Sequence, residues 1–276
     1  MEVIMHEVHY KRPDVFYIYP FFDAHLGAKE SAEKQLRHKV KECANRGQFG
    51  LAIGGGDWLD CITSKDKRWR NNGLADWVEA GNIVDSQRRR AGEIFGALKG
   101  QLISIGTGNH EEEIHRSHND DVIRNVCRDL EAPYAGYQSF IILKFIRAQK
   151  VTHHLTIHSW HGAGSAQTEG ARLMRLSRLV NDIEADIYLM GHLHAMTSHT
   201  PDRLIQCNGR VKSVRLASTI CGSWLETYHQ PHEGEIQDPT YGEEKGYKPS
   251  RIGCPLIRIT PDNYNDPLEQ EFVIES

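Results

Sequence analysis

The chain has 276 residues, 25% of them charged, with a formal net charge of -4. That is enough chain to bury a large core, and too little net charge to draw it to nucleic acid or an anionic membrane by its overall field. No run reaches membrane-spanning length and Met1 to Lys11 lacks an apolar signal core, so the expectation is a cytoplasmic protein with no membrane partner.

The first apolar run, Val15 to Phe22, reads as a strand and ends at Asp23-Ala24-His25-Leu26-Gly27. Ser31 to Asn45 has Leu36, Val40 and Cys43 at helical spacing, with Ser31 as cap and Gly47 as stop. Leu51 to Ile53 is a second strand, ending at three glycines and then Asp57-Trp58-Leu59-Asp60. Residues 62–82 are charged and weakly periodic, and read as an insertion or lid. Val84 to Leu98 is an amphipathic helix whose Arg88, Arg89 and Arg90 lie off the apolar face, as a solvated surface would have them.

Leu102 to Ile105 is a third strand, breaking into Gly106-Thr107-Gly108-Asn109-His110-Glu111. Val122 to Leu130 spells a short helix. Phe140 to Ile146 and Thr152 to Ile157 predict a strand pair, the second strand running out among His158 and His161. After a helix over Ala171 to Ile183, the strand Asp186 to Met190 delivers Gly191-His192-Leu193-His194. Leu204 to Cys207, Val214 to Thr219, Pro255 to Ile259 and Glu271 to Ile274 are expected to be strands of a second sheet. Residues 223–252 between them form a long irregular loop, of the kind that binds or moves. With no repeat and no linker, residues 1–276 read as one domain.

Five strand ends thus carry carboxylate, imidazole and carboxamide groups, the O/N set that divalent metals accept. The six cysteines, Cys43, Cys61, Cys127, Cys207, Cys221 and Cys254, form no C-x-x-C pair, which argues against a zinc ribbon or a disulfide scaffold and for a reducing compartment. Each strand-end motif alone is weak, since an Asp after a strand is commonly a turn residue or helix cap. Their conjunction in one order is what points to a metal centre.

That ordered set, Asp-x-His, Gly-Asp-x-x-Asp, Gly-Asn-His-Glu, a lone His and Gly-His-x-His, resembles the signature of the calcineurin-like metallophosphoesterases. The resemblance spans residues 14 to 196 and implies an α/β fold, a two-sheet β-sandwich core flanked by helices in four α/β/β/α layers. It implies two divalent ions, Mn2+ foremost with Zn2+ or Fe as alternatives. Asp23, His25 and His194 match the ligands of one ion, Asp57 the bridging carboxylate, and Asn109 and His192 ligands of the other. His110 matches the catalytic imidazole beside the leaving group, and Asp60 the carboxylate that orients it.

The lone histidine is ambiguous, because His158 and His161 both follow the same strand. His161 is favoured since it precedes Gly162, which a tight turn after a ligand needs; His158 is the alternative. His153, His154, His229 and His232 read as structural or surface residues. The function implied is hydrolysis of a phosphate ester by attack of a metal-bridging hydroxide on phosphorus, with a phosphodiesterase or nuclease-like activity placed ahead of a phosphomonoesterase. The substrate could then be a nucleotide or nucleic acid. A non-catalytic metal-binding scaffold for a protein partner is the reading from another class. The sequence does not fix the oligomeric state.

Overall fold

A computed structural model describes residues 1–70, 72–207, 209–228, 239–261 and 271–273. The elements in chain order are β1 (Glu2–His9), β2 (Phe16–Phe21), α1 (Glu33–Asn45), β3 (Gly50–Gly55), α2 (Ile83–Phe95), β4 (Leu102–Gly106), α3 (Asn109–His118) and α4 (Val122–Leu130). Next come β5 (Tyr134–Gly136), β6 (Gln138–Arg147), β7 (Lys150–Trp160), α5 (Glu169–Asp182), β8 (Ile187–Met190) and β9 (Met196–His199). The remainder are β10 (Asp202–Cys207), β11 (Arg210–Arg215), β12 (Ala217–Cys221), α6 (Tyr241–Lys245), β13 (Leu256–Ile259) and β14 (Glu271–Val273).

Two six-stranded sheets form the core, one ordered β14-β13-β2-β3-β4-β5 and the other β1-β6-β7-β8-β12-β9. Period-2 alternation decides which residue faces which layer. In β2, Phe16 and Ile18 point between the sheets, where they meet Phe145, Ile157 and Ile187 from the second sheet. Tyr19 and Phe21 point the other way, onto Leu36 and Val40 of α1 and Ala91, Ile94 and Phe95 of α2. On the far side, Tyr188 of β8 packs against Leu179 and Val180 of α5, and Ile220 of β12 against Leu176. The order is therefore helix, sheet, sheet, helix, the α/β sandwich that the sequence leads one to expect.

The helices expected over residues 31–45, 84–98, 122–130 and 171–183 are all present within a few residues, and β6 pairs antiparallel with β7. The C-terminal strands depart from expectation. They do not make the second sheet by themselves: β12 inserts parallel beside β8, while β13 joins the first sheet antiparallel to β2. The reason is burial. Every residue of β12 is buried, which only a central strand can satisfy, and Ile257 and Ile259 carry the alternation that the first sheet's inner face accepts. Val214 to Thr219 is split at Leu216, its first part pairing with β10 in a separate hairpin that leaves Leu204 and Val211 each 74% exposed.

Parallel β2, β3 and β4 end together, so their carboxyl ends open on one crevice, the place where ligands sit in such sheets. The 62–82 segment crosses the mouth of that crevice in turns, tied to the body by a bridge between Leu74 and Ala28. Among its described residues, the 223–252 loop holds only the short α6 and bridges at Ser223 and Leu225. His229 and His232 lie outside the described residues. No described helix is long and apolar enough to cross a membrane.

Candidate metal centre

The strand ends deliver their polar residues in strained backbone. Asp23, His25, Asp57, His192 and His194 have φ of 50°, 46°, 49°, 68° and 44°, the left-handed region that costs an L-residue roughly 1–2 kcal/mol each. Such strain persists only where the surroundings hold it, and here main-chain bonds lock adjacent loops: Asp23 N–H donates to Gly56 O at 3.0 Å and His25 N–H to Asp57 O at 2.9 Å. Gly108 is required by the approach of Asp57, because a Cβ at Gly108 would lie 2.1 Å from Asp57 Oδ1.

Three ligand-type groups occur among the described residues, Asp23 with His25 and His194, Asp57 with His161 and His192, and His25 with Asp60 and His110, the candidate atoms of each lying within 4.8 Å of one another. The third shares His25 with the first, and the first two are the metal-site candidates. Asn109 closes the second group: its Oδ1 is 2.8 Å from His192 Nδ1 and 3.1 Å from His161 Nε2. In the first group the two Nε2 atoms of His25 and His194 face each other at 3.0 Å. Asp23 ties the groups together, accepting the His192 N–H at 2.8 Å through Oδ2 while Oδ1, fully buried, has no hydrogen-bond partner.

His110, on the first turn of α3, borders both groups. Its ring meets that of His25 edge-on at 4.6 Å between centroids, and its Nε2 is 3.9 Å from Asp57 Oδ2. The main-chain carbonyl of Asp60 accepts from His110 Nδ1. The Asp60 carboxylate instead sits 3.3 Å from His25 Nδ1 and 3.6 Å from His110 Nδ1. Asp60 therefore positions His110 chiefly through its backbone, and its side chain orients His25.

The two rival histidines part at the end of β7. His161 lies in the second group, 3.3 Å from Asp57 Oδ2. His158 points away, buried beside Phe140 and Tyr188, with its Nε2 accepting from Gln138 at 2.7 Å.

Burial penalises charge throughout this cluster. It pushes Asp23 well above the usual carboxylate range and lowers His25, His192 and His194, leaving neutral imidazoles of the kind that metals take. His161 is the exception: burial would lower it, but the Asp57 and Asp23 carboxylates outweigh that and raise it to about 9.

Two further residues shape the site, Glu111, which the sequence motif includes without a role, and Arg68, which no motif includes. Glu111, buried at 2% exposure, accepts the main-chain N–H groups of Asp57 at 3.0 Å, Leu59 at 3.0 Å and Gly108 at 2.9 Å, so it braces the Asp57 loop against α3. Its signal was present as the third residue after Gly108, the capping-box position of a helix. Arg68, from the 62–82 segment, donates through Nη1 to His110 Nε2 at 2.6 Å. No periodicity or motif marks it. Arg68, with His25, Asp57, Asn109, His110 and His194, lines a cavity of about 370 Å³ whose further walls include Trp69, Leu225 and Tyr247.

No protein-family model matches the chain. No curated protein matches it either. Among solved structures it is similar to a conserved uncharacterized protein of Streptococcus pneumoniae, described as a predicted phosphoesterase, at 14% identity and a TM-score of 0.32 over 94% of this chain and 98% of that one.

Proposed function

We propose that the chain is a two-metal phosphoesterase. The observation that carries this reading is the pair of abutting ligand groups, Asp23/His25/His194 and Asp57/His161/His192, with the ring of His110 bordering both. The donor set fits two divalent ions on the chain's own terms. All its atoms are O or N, most of the imidazoles are held neutral, and the buried Asp23 Oδ1 has no hydrogen-bond partner.

Asp23, His25 and His194 would hold one ion, and Asn109, His161 and His192 the other, with Asp57 between them. Mn2+ is the first choice, with Zn2+ or Fe as alternatives. When bound, such a pair lowers the pKa of water and neutralises charge on phosphoryl oxygens. The protein's own part is orientation. The Asp60 carboxylate fixes His25, Asn109 Oδ1 fixes His192, and Glu111 holds the loop that presents Asp57. His110 has Nδ1 committed to the Asp60 carbonyl, so Nε2 is the ring nitrogen turned to the cavity, where the imidazolium form, with a proton taken from water, would donate to a leaving oxygen as the P–O bond breaks.

A phosphodiester is placed ahead of a monoester, and a cavity of about 370 Å³ has room for the larger of the two. Nucleotides and nucleic acids belong to that class. Turnover of a generic aryl phosphodiester and an aryl phosphomonoester, with and without added Mn2+, tests the proposal. Metal-dependent release of the phenol is expected, faster from the diester; no turnover of either ester in any metal would refute it.

A further inference from the structure

We propose that Arg68 is a substrate-contacting residue, delivered by the 62–82 segment to grip a phosphoryl oxygen beside the two ligand groups. The inference rests on the phosphoesterase reading and adds to it a cationic contact that none of the strand-end motifs supplies.

The guanidinium is aimed rather than merely present. Asp66 holds it on one edge, with Oδ1 accepting from both the main-chain N–H of Arg68 at 2.8 Å and Nε at 3.0 Å, and Oδ2 accepting from Nη2 at 2.7 Å. The fork is thereby locked in one plane, and the edge left over is Nη1. That nitrogen lies 2.6 Å from His110 Nε2, inside the cavity that Asp57, Asn109, His192 and His194 also line. An arginine has only donors, so His110 Nε2 is here the acceptor, the weaker of the acceptors this cavity would see once an anionic phosphoryl oxygen enters it.

Charge gives the second argument. Two divalent ions in the ligand groups would place Arg68 next to like charge, and the Asp66 carboxylate neutralises it only on the far edge. An anionic oxygen lying between Nη1 and the metals removes that repulsion, which is the arrangement by which cationic side chains stabilise a phosphoryl group under attack. The side chain is 33% exposed and Asp66 11%, so the pair is half-embedded and its opening faces the cavity. The oxygen takes the hydrogen bond that Nη1 gives to His110, and the freed Nε2 can then take up a proton from water and donate it toward the leaving group.

The experiment uses the metal-loaded full chain and the variants Arg68→Gln, Arg68→Lys and Asp66→Asn. Two readouts are taken: kcat and KM over aryl phosphodiesters of differing leaving-group basicity, and the thermal shift produced by inorganic phosphate. Arg68→Gln should lower kcat/KM about 100-fold, the order seen for loss of one preorganised donor, and by the same factor for good and poor leaving groups. It should reduce the phosphate-induced shift, the two ions still holding phosphate, while leaving the phosphate-free melting point within a degree or so, as expected of a partly exposed side chain on a loop. Arg68→Lys should recover part of the loss, and Asp66→Asn should cost less than Arg68→Gln because the guanidinium remains but is no longer held.

An active wild type with an Arg68→Gln variant that is equally active and equally stabilised by phosphate overturns the role of Arg68 alone. A loss that vanishes for good leaving groups overturns it too, since it would place Arg68 on the leaving oxygen. A wild type that turns over no ester and gains nothing from phosphate fails at the phosphoesterase reading itself.

Discussion

Asp57 and Glu111 hold each other in place: the Glu111 carboxylate accepts the Asp57 main-chain N–H at 3.0 Å, while the Asp57 carboxylate accepts the N–H of His110, the residue beside Glu111, at 2.9 Å. The link joins the end of β3 to the start of α3, so that the proposed bridging carboxylate and His110 move as one unit. Glu111→Ala would leave three buried N–H groups unpaired, at about 1–3 kcal/mol each. A loss of stability of about 3 kcal/mol or more is expected in urea unfolding, together with weakened metal binding. A variant as stable as wild type would show that water or a shifted backbone satisfies those groups.

The second expectation separates the two histidines after β7. His161→Ala should weaken one metal site in a calorimetric titration, by about ten-fold or more, because it removes a ligand-type nitrogen 3.3 Å from Asp57. His158→Ala should leave the metal affinities near wild type, since that ring faces Phe140 and Tyr188. The reverse ranking would move the ligand role to His158.

His158 has its own consequence for acid stability. Burial alone lowers its pKa from 6.5 to about 4, and Nδ1 has no hydrogen-bond partner. The unfolded chain therefore binds a proton on this ring at a pH where the folded chain refuses it, and stability falls as pH drops from about 6.5 toward about 4. The shift corresponds to roughly 3 kcal/mol at the acid end of that window. Unfolding of the metal-free chain by urea at pH 7 and pH 4.5 should show a smaller difference in His158→Phe than in wild type. Identical pH dependence in the two would assign the acid sensitivity elsewhere.

A fourth expectation concerns His110, whose Nδ1 is tied to the Asp60 carbonyl and whose Nε2 opens on the cavity. His110→Asn should leave metal content near normal and slow turnover by about two orders of magnitude or more. The loss should shrink for nitrophenolate esters, which need little help at the leaving oxygen. An equal loss across leaving groups would assign His110 to holding phosphate; unchanged activity would remove it from the chemistry.

Much of this site could be read from the residues, because a strand that runs into glycine and then polar groups specifies both an element and its end. The layers were legible for the same reason: period-2 alternation in β2 sends Phe16 and Ile18 inward and Tyr19 and Phe21 outward. Parity could also have chosen between the histidines, since 161 shares the phase of the inward-facing Leu155 and Ile157 and 158 does not. What stayed hidden depends on contacts distant in sequence. β13 finds its partner in β2, more than two hundred residues earlier, and no local pattern encodes that choice over a sheet of its own. Arg68 sits in turns with no period to read, and its position is set by Asp66 and His110 rather than by an element. Asp60 was expected to orient His110 with its carboxylate, which lies 3.6 Å from His110 Nδ1; the hydrogen bond from that nitrogen is accepted by the Asp60 main-chain carbonyl, which a motif does not carry.

The most direct test of the account is a stoichiometric titration of the chelated protein with Mn2+, following bound metal and aryl phosphodiester turnover in the same samples. Binding should saturate at two equivalents per chain and turnover should reach its plateau only there, with Asp57→Ala losing both ions and the activity. Full turnover at one equivalent or none, or two tightly held ions in Asp57→Ala, would contradict it.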